Sequence, residues 1–324
     1  MSPEAGESQN LLAKVFPVLG VVPTLSREDL QGDVVAGLTT AVMIVPQGMA
    51  YAALAAVRPE IGLYSAVLPV VIYGLLGTSR QLAVGPVAMV SLLTSAGLGK
   101  FADPTTEPEK YAELASLLAF MLGVIQTAMG VFRLDFLVRF LSHPVLSGFT
   151  SAAAIVIGLS QLKDLFGFYL PRDKKLHKIV ENFVPEVDKT HGLTLVIGLL
   201  SIAFLLAARK IKRKVKVLKR FPDALFLIVV TIVVSELGDL KGEGVKIVGD
   251  IPSGMPAPWN LPWESVGDLA ATSVSVAFIA FLESFAVAKT IAEKERYQVD
   301  ARQELLALGL CNVVGSFFRC MPVA

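Results

Sequence analysis

Residues 85–97 read GPVAMVSLLTSAG and form an apolar stretch that is too short to cross a membrane. A helix needs about 20 apolar residues to span the hydrocarbon of a bilayer. Proline suits the first helical position because its fixed φ matches the helix and its missing N–H is not needed there. We predict that a helix begins at Pro86 and that Gly85-Pro86 breaks the chain inside the membrane. Non-helical backbone is tolerated at that depth only where it is buried in protein or lines a cavity.

The start of this short helix is a candidate anion site. If it lies near the bilayer midplane, the N–H groups of Val87, Ala88 and Met89 have no acceptor within the helix. Together with the helix dipole, such groups bind an anion without any cationic side chain. Broken helices that meet near the midplane are typical of inverted-repeat transporters. An ordinary kinked or re-entrant helix is the alternative on spacing alone.

The composition of the whole chain indicates a membrane protein. Its 324 residues are 54% hydrophobic and 18% charged, whereas a soluble domain carries about a quarter charged residues. The net charge of +1 provides no field that would recruit nucleic acid. No catalytic triad, nucleotide-binding loop or metal-ligand spacing occurs in the sequence. We therefore predict an all-α integral membrane protein that is not an enzyme and requires no cofactor or metal.

About nine apolar segments are predicted to be membrane spans. An interfacial, cytoplasmic segment at residues 1–33 precedes them, and we expect the loops at 163–190 and 238–263 to cap the outer face. The two cysteines, Cys311 and Cys320, fall on one predicted helix, too far apart for a disulfide. The predicted spans are residues 34–56, 61–76, 86–97, 114–132, 144–162, 193–208, 224–237, 269–291 and 304–318.

The distribution of basic residues predicts the orientation. Lys and Arg are densest at residues 209–220, between the sixth and seventh spans, and acidic residues dominate the loops on the opposite side. Because cytoplasmic loops carry the excess of Lys and Arg, this pattern predicts a cytoplasmic N-terminus. A contact between the basic run and anionic lipid is the alternative to a purely topological role.

The first span contains the sequence Pro46-Gln47-Gly48, which we predict to interrupt the helix. The Gln47 amide can donate a hydrogen bond to an oxyanion, and Tyr51 lies one turn further along the same face. The two side chains are thus candidates to line an anion site. A proline kink packed by small residues, with Gln47 bonded to another helix, is the alternative.

The eighth span contains an isolated carboxylate, Glu283, among apolar residues. An acidic residue inside a span is costly and indicates a functional site. Burial favours the protonated form, which would not repel an anion, whereas the ionised form would. Glu283 is therefore a candidate both for substrate binding and for proton coupling. The alternative is a structural glutamate bonded to a neighbouring helix or to Lys289.

Seven short blocks in and around the spans carry a further signal. They are PQGMAYA (46–52), GLY (62–64), GTSR (77–80), VGP (84–86), YQVD (297–300), QEL (303–305) and GLCN (309–312). In this order, within residues 33–324, they resemble the signature of the SulP family of anion transporters.

The resemblance implies a fold of seven plus seven segments in inverted repeat, divided into core and gate domains. It implies an anion site between facing half-helices of spans three and ten, lined by Gln47, Tyr51 and Val87. Glu283 occupies the position where related nucleobase permeases carry a substrate-binding carboxylate. On this pattern residues 34–237 form the first repeat, and residues 238–324 begin the second.

The sequence ends at Pro322-Val323-Ala324, which echoes Pro86-Val87-Ala88 at the point where the tenth segment of the family would begin. The later gate helices and the STAS domain usual in the family are absent from this chain. We expect a part of a longer protein.

The expected function is secondary active transport of small anions such as sulfate, bicarbonate, chloride or dicarboxylates, by proton symport and alternating access. The alternatives are anion exchange, an uncoupled anion channel, and a nucleobase permease of the same fold. The expected partners are the anion, protons, membrane lipid and a second subunit in a homodimer. The expected location is the cell (inner) membrane.

Overall fold

The computed structural model describes residues 16–134, 143–168, 176–215, 223–249 and 251–324. The described elements are helical, as predicted, and short 3-10 turns occur at Val22–Thr24, Val187–Lys189 and Trp263–Ser265. The helices are α1 (Val18–Val21), α2 (Arg27–Ala55), α3 (Pro59–Leu76), α4 (Ala88–Leu98), α5 (Pro108–Val131), α6 (His143–Phe166), α7 (Leu176–Glu186), α8 (Gly192–Lys214), α9 (Asp223–Leu237), α10 (Val266–Glu295) and α11 (Ala301–Ser316).

The lengths and hydropathies of the helices fit a multi-pass membrane protein. The short apolar helix α4 falls below the spanning length, in agreement with the sequence. Five described stretches are long and apolar enough to cross a membrane: Arg27–Ala55, Pro59–Leu76, Pro108–Val131, Gly192–Lys214 and Trp263–Glu295.

The chain divides into two compact units, of which the first contains residues 1–36, 44–150 and 252–324. Helix α5 lies at its centre and packs against α11, α10 and α4. A Cβ atom added to Gly123 of α5 would come within 2.6 Å of the carbonyl oxygen of Gly309 in α11. Small residues at such crossings let two helix backbones touch, which is how helices commonly associate in membranes.

Helix α2 begins earlier than predicted because of a capping box. The Ser26 hydroxyl accepts a hydrogen bond from the Asp29 N–H (3.1 Å), and the Asp29 carboxylate accepts one from the Ser26 N–H (3.0 Å). These two bonds satisfy backbone donors that the first turn leaves free. The helix thus starts at Arg27 rather than at residue 34. Residues 1–15 of the predicted interfacial segment lie outside the described residues.

Two further predictions about helix boundaries are wrong. Helix α2 runs without interruption through Pro46, because proline removes a single hydrogen bond and the rest of the helix spans the gap. Helix α11 ends at Ser316, so Cys320 lies beyond it and does not share a helix with Cys311. Both cysteines are free and buried.

The second unit contains residues 37–43 and 151–251. Helices α8 and α9 bury none of their described residues, and large apolar side chains such as Leu200 and Ile232 are exposed. Apolar exposure of this extent fits helices that face lipid. At one end of the pair, the ammonium of Lys212 lies 2.8 Å from the carboxylate of Asp223. Residues 216–220 of the basic run lie outside the described residues.

The predicted outer loop at 163–190 contains a helix that the sequence did not predict. Helix α7 covers Leu176–Glu186, and its Phe183 ring packs edge-on against Phe166 with centroids 5.2 Å apart. The predicted repeats, residues 34–237 and 238–324, are halves related by sequence order and topology, so their bounds need not match those of the two compact units. The division into repeats stays a prediction.

Candidate anion-binding site

Two non-helical segments, residues 84–87 and 321–324, lie side by side in the first unit. The N–H of Gly85 donates to the carbonyl of Ala324 at 3.0 Å, and the N–H of Ala324 donates to the carbonyl of Gly85 at 3.1 Å. This reciprocal pair is the hydrogen-bonding pattern of an antiparallel β-bridge. Val84 and Val323 flank it and are fully buried. Two stretches that are distant in sequence are thus joined through their backbones.

The bridge explains why α4 starts later than predicted. Val87 has extended backbone angles (φ −130°, ψ 151°) and caps the helix, which begins at Ala88. Pro86 therefore lies in the extended segment, and its predicted place as the first helical residue is wrong. The pairing of Gly85 with Ala324 requires extended backbone around the bridge, and this requirement overrides the local preference of proline for a helix start.

The start of α4 presents free hydrogen-bond donors. The N–H groups of Val87, Ala88 and Met89 donate no hydrogen bond to any residue that the structure describes, and no side chain caps the helix. All three residues are half-buried. Unpaired N–H groups at the positive end of a helix dipole are able to bind an anion, so the start of α4 is a candidate anion site.

The surroundings of this helix start are apolar. Val87 packs at the edge of a cluster that joins α4, α5, α10 and the segment ending at Ala324. Apolar walls lower the local dielectric, which strengthens the interaction between backbone dipoles and a bound charge. The buried members of the cluster are Val90, Leu122, Val276, Ala277, Ala280 and Ala324.

Gln47 and Tyr51 share one face of α2, as predicted. The Gln47 amide nitrogen donates to the Tyr51 hydroxyl at 3.0 Å. Gln47 is exposed, and Tyr51 is half-buried against a core cluster that includes Ala52 and Met321. Through this cluster, α2 packs against the beginning of the second non-helical segment.

Glu283 lies on α10, one turn beyond Ala280. Its side chain is half-buried, and its Oε2 has no hydrogen-bond partner within the described residues. Lys289 lies 4.0 Å from Glu293, so the alternative in which Lys289 pairs with Glu283 has no support. Because Ala277 and Ala280 pack in the same cluster as Val87, the helix that carries Glu283 passes the start of α4.

Two residues of α11 that the sequence did not single out bond to the second of the two non-helical segments and to the linker before the first. Asn312 of α11 hydrogen-bonds the backbone of Val323, and Glu304 of the same helix binds Tyr73, Thr78 and Ser79. Both residues stand in blocks that carried the family resemblance, but nothing local indicated a partner. Their place in a predicted membrane span was the signal that could have found them, since a polar residue in a membrane helix needs a bonded partner.

Comparison with known proteins identifies relatives of the chain. "Sulfate transporter 4.1, chloroplastic" from Arabidopsis thaliana is 41% identical over 292 residues, which cover 90% of this chain and 42% of that protein. The chain spans about half the length of the curated relatives it matches.

Solved structures share the fold. The structure of SLC26A9 superposes with a TM-score of 0.90 at 28% identity, over 100% of this chain and 53% of the solved chain. The transmembrane domain of the cyanobacterial bicarbonate transporter BicA superposes with a TM-score of 0.79 at 20% identity, over 93% of this chain and 75% of the solved one. At that identity the second likeness concerns the fold alone. The model of the sulfate permease family matches residues 30–324, and the chain therefore belongs to that family.

Proposed function

We propose that this chain forms the anion-translocating part of a secondary active transporter for small anions. The observation that carries the proposal is the paired backbone of Gly85 and Ala324 beside the free N–H groups of α4. Such a site binds compact anions through backbone dipoles, so sulfate, bicarbonate, chloride and dicarboxylates are the candidate substrates. Sulfate is the first to test, because the Arabidopsis relative is named a sulfate transporter.

In the proposed mechanism, the donors at the start of α4 hold the anion while the protein alternates between two access states. Gln47 and Tyr51 line the site from α2, where the exposed amide is able to exchange its bond to Tyr51 for one to the substrate. Val87, Ala88 and Met89 supply the backbone contacts. Backbone dipoles then stabilise the charge of the anion without a basic side chain.

Glu283 is the proposed proton-coupling residue. A half-buried carboxyl group with an unpartnered oxygen, on a helix that passes the start of α4, repels an anion when ionised and admits it when protonated. Binding of the anion and of a proton would then favour each other, as proton symport requires. Anion exchange is the second candidate, and it needs no such carboxyl group.

The test is uptake of labelled anions into proteoliposomes that contain the purified full-length protein, with and without an inward proton gradient. Wild type is compared with Glu283→Gln, which keeps the shape of the side chain but cannot ionise. Glu293→Gln is the matched control, because this exposed carboxylate lies on the same helix. Symport predicts accumulation that requires the gradient, is lost in Glu283→Gln and persists in Glu293→Gln.

Other outcomes select other functions. Uptake that ignores the gradient and the Glu283 substitution indicates exchange when it requires an anion on the opposite side. Uncoupled current that follows voltage indicates a channel. Competition by uracil or xanthine indicates a nucleobase permease. Absence of flux for every anion contradicts the proposal.

We also propose a cytoplasmic N-terminus, location in the cell membrane, and a homodimer. The orientation rests on the basic end of α8, where Lys212, Arg213 and Lys214 form the last turn. Cysteines introduced singly at Arg213 and at Lys241, in the loop after α9, should react with an impermeant maleimide from opposite sides. The Arabidopsis relative bears a chloroplastic name, so fractionation of the source membranes tests the location.

A further inference from the structure

A side chain of α11 forms two hydrogen bonds to the second non-helical segment. The Oδ1 of Asn312 accepts a hydrogen bond from the Val323 N–H at 2.9 Å, and its Nδ2 donates to the Val323 carbonyl at 3.0 Å. The Asn312 side-chain amide therefore pairs with Val323 as a neighbouring strand would. Asn312 is 1% exposed, so water does not compete for these bonds. Val323 directly precedes Ala324, which completes the bridge to Gly85.

Glu304, on the same helix, holds the linker that leads into the first non-helical segment. Its Oε1 accepts hydrogen bonds from the Thr78 N–H at 2.7 Å, the Thr78 hydroxyl at 2.6 Å and the Ser79 N–H at 3.3 Å. Its Oε2 accepts one from the Tyr73 hydroxyl at 2.7 Å. All four partners donate, which matches a carboxylate that only accepts. Glu304 is completely buried, so this network is shielded from solvent.

The two anchors are rigidly related to each other. Glu304 and Asn312 are eight residues apart on α11, which corresponds to about two turns and roughly 12 Å on the same side of the helix. The close approach of Gly309 to Gly123 lies between them and fixes α11 against α5. One helix thus bonds both to the linker before the first non-helical segment and to the second segment. The first residue of that second segment, Met321, also donates its N–H to the Ser65 hydroxyl of α3 at 2.9 Å.

We propose that Glu304 and Asn312 are positioning residues of the anion site, which act through the two non-helical segments without touching the substrate. The inference rests on the proposed function. Donors that bind a charge through geometry must be held within about 0.5 Å of the productive arrangement. Loosening either anchor moves the bridge and with it the N–H groups at the start of α4. The expected consequence is weaker anion binding by a protein that is still folded.

The experiment measures sulfate KM and Vmax in proteoliposomes, together with the thermal midpoint and the folded yield, for a graded set of variants. Asn312→Asp keeps the acceptor for the Val323 N–H but sets a second oxygen against the Val323 carbonyl. Glu304→Gln turns one acceptor into a donor that faces donors. Tyr73→Phe removes one of the four bonds to Glu304. Val314→Ala is the control, because this residue is partly exposed on the same helix.

We expect the KM for sulfate to rise about three- to tenfold in Asn312→Asp and Glu304→Gln. A change of this size corresponds to the free energy of one hydrogen bond. Tyr73→Phe should give a smaller rise, and Val314→Ala none. Hydrogen–deuterium exchange should quicken at residues 78–89 in Glu304→Gln and at residues 321–324 in Asn312→Asp.

Two results overturn the inference while leaving transport intact. One is a KM within about twofold of wild type in the folded fraction of both Asn312→Asp and Glu304→Gln. The other is a loss of folded yield or of thermal midpoint with an unchanged KM, which assigns both residues a purely structural role. If one variant does not fold, Tyr73→Phe and the other variant decide. Wild-type protein that takes up no anion contradicts the proposed function instead.

Discussion

The backbone N–H of Gly85 and that of Ala324 each donate to the carbonyl of the other residue, at 3.0 and 3.1 Å. In the sequence, 238 residues lie between the two. The bridge joins the stretch before α4 to a stretch that carries the same Pro-Val-Ala sequence. Non-helical backbone in a membrane needs internal partners for its polar groups, and here each segment supplies them for the other. The N–H groups next to the bridge, at the start of α4, remain available for a ligand.

Proline in place of Ala88 tests whether those N–H groups bind the anion. The first helical position tolerates proline, and the extended angles of Val87 suit the residue before a proline. The variant should fold but lack one donor. A hydrogen bond to a charged group contributes about 1.5–3 kcal/mol, so the KM for the transported anion should rise about tenfold or more.

The control for that experiment is Ala88→Ser, which keeps the N–H and should leave the KM near the wild-type value. An unchanged KM in folded Ala88→Pro would remove the Ala88 N–H from the site.

Helices α2 and α3 cross at Gly48 and Gly62, and a methyl group added at Gly62 should lower the stability of the protein more than one added at Gly48. A Cβ atom on Gly62 would overlap the carbonyl group of Gly48 and lie 2.9 Å from the Cβ of Ala52. On Gly48, the nearest atom would be the Gly62 carbonyl oxygen at 3.1 Å. Overpacking of this kind costs about 1–3 kcal/mol. Thermal unfolding in detergent should show a larger loss for Gly62→Ala, and equal losses would contradict the packing described.

The two thiols should be unreactive in the folded protein. Cys311 is fully buried and Cys320 is 1% exposed, and neither forms a disulfide. Maleimide should modify neither until the protein is denatured, because reaction requires local opening of the helix packing. Mass spectrometry before and after denaturation measures this, with an introduced Lys241→Cys as the exposed control. Rapid labelling of either native cysteine would show that the packing around α11 opens easily.

The loop between α4 and α5 contains a carboxylate with a lowered pKa. The hydroxyl and the N–H of Thr105, and the more distant N–H of Thr106, donate to Asp103 and hold the pKa of that carboxyl below its usual range. Because the folded pKa is depressed, the stabilisation is present above the unfolded pKa, about 3.9, and is lost as pH falls through the folded value.

A carbon-detected NMR titration of Asp103 should therefore give a midpoint below 3.9, and Thr105→Val should raise it. Thr106→Val, which keeps the contributing N–H, is the matched control. A midpoint that Thr105→Val leaves in place would mean that the hydroxyl does not act on this carboxylate.

Some of these features follow from local sequence alone. The length of apolar stretches predicts spans, and the brevity of residues 85–97 predicts a half-helix, because a bilayer imposes one length on every helix that crosses it. The spacing of Gln47 and Tyr51 predicts that they share one face of a helix, since residues one turn apart are neighbours, and the structure brings the two side chains into contact. The carboxylate of Glu283 is also evident from the sequence, because it is an isolated acidic residue among the apolar residues of a span.

Tertiary structure decided the features that join distant residues. The prediction that α4 begins at Pro86 failed because pairing with Ala324 keeps the chain extended as far as Val87, and no local rule contains that partner. In the sequence, Glu304 is a polar residue at the start of the ninth predicted span and Asn312 is one within it, and neither position indicates a partner. Their partners, Thr78 and Val323, come from a linker 226 positions earlier and a segment 11 positions later.

By itself, the sequence determined that this protein is a bundle of membrane helices with one helix that stops short, because hydropathy and helix length act residue by residue. Only the tertiary structure decided where that helix begins and which groups its first turn leaves free. The physical reason is that a buried backbone donor or acceptor must find a partner, and that partner is chosen by the packing of the whole fold.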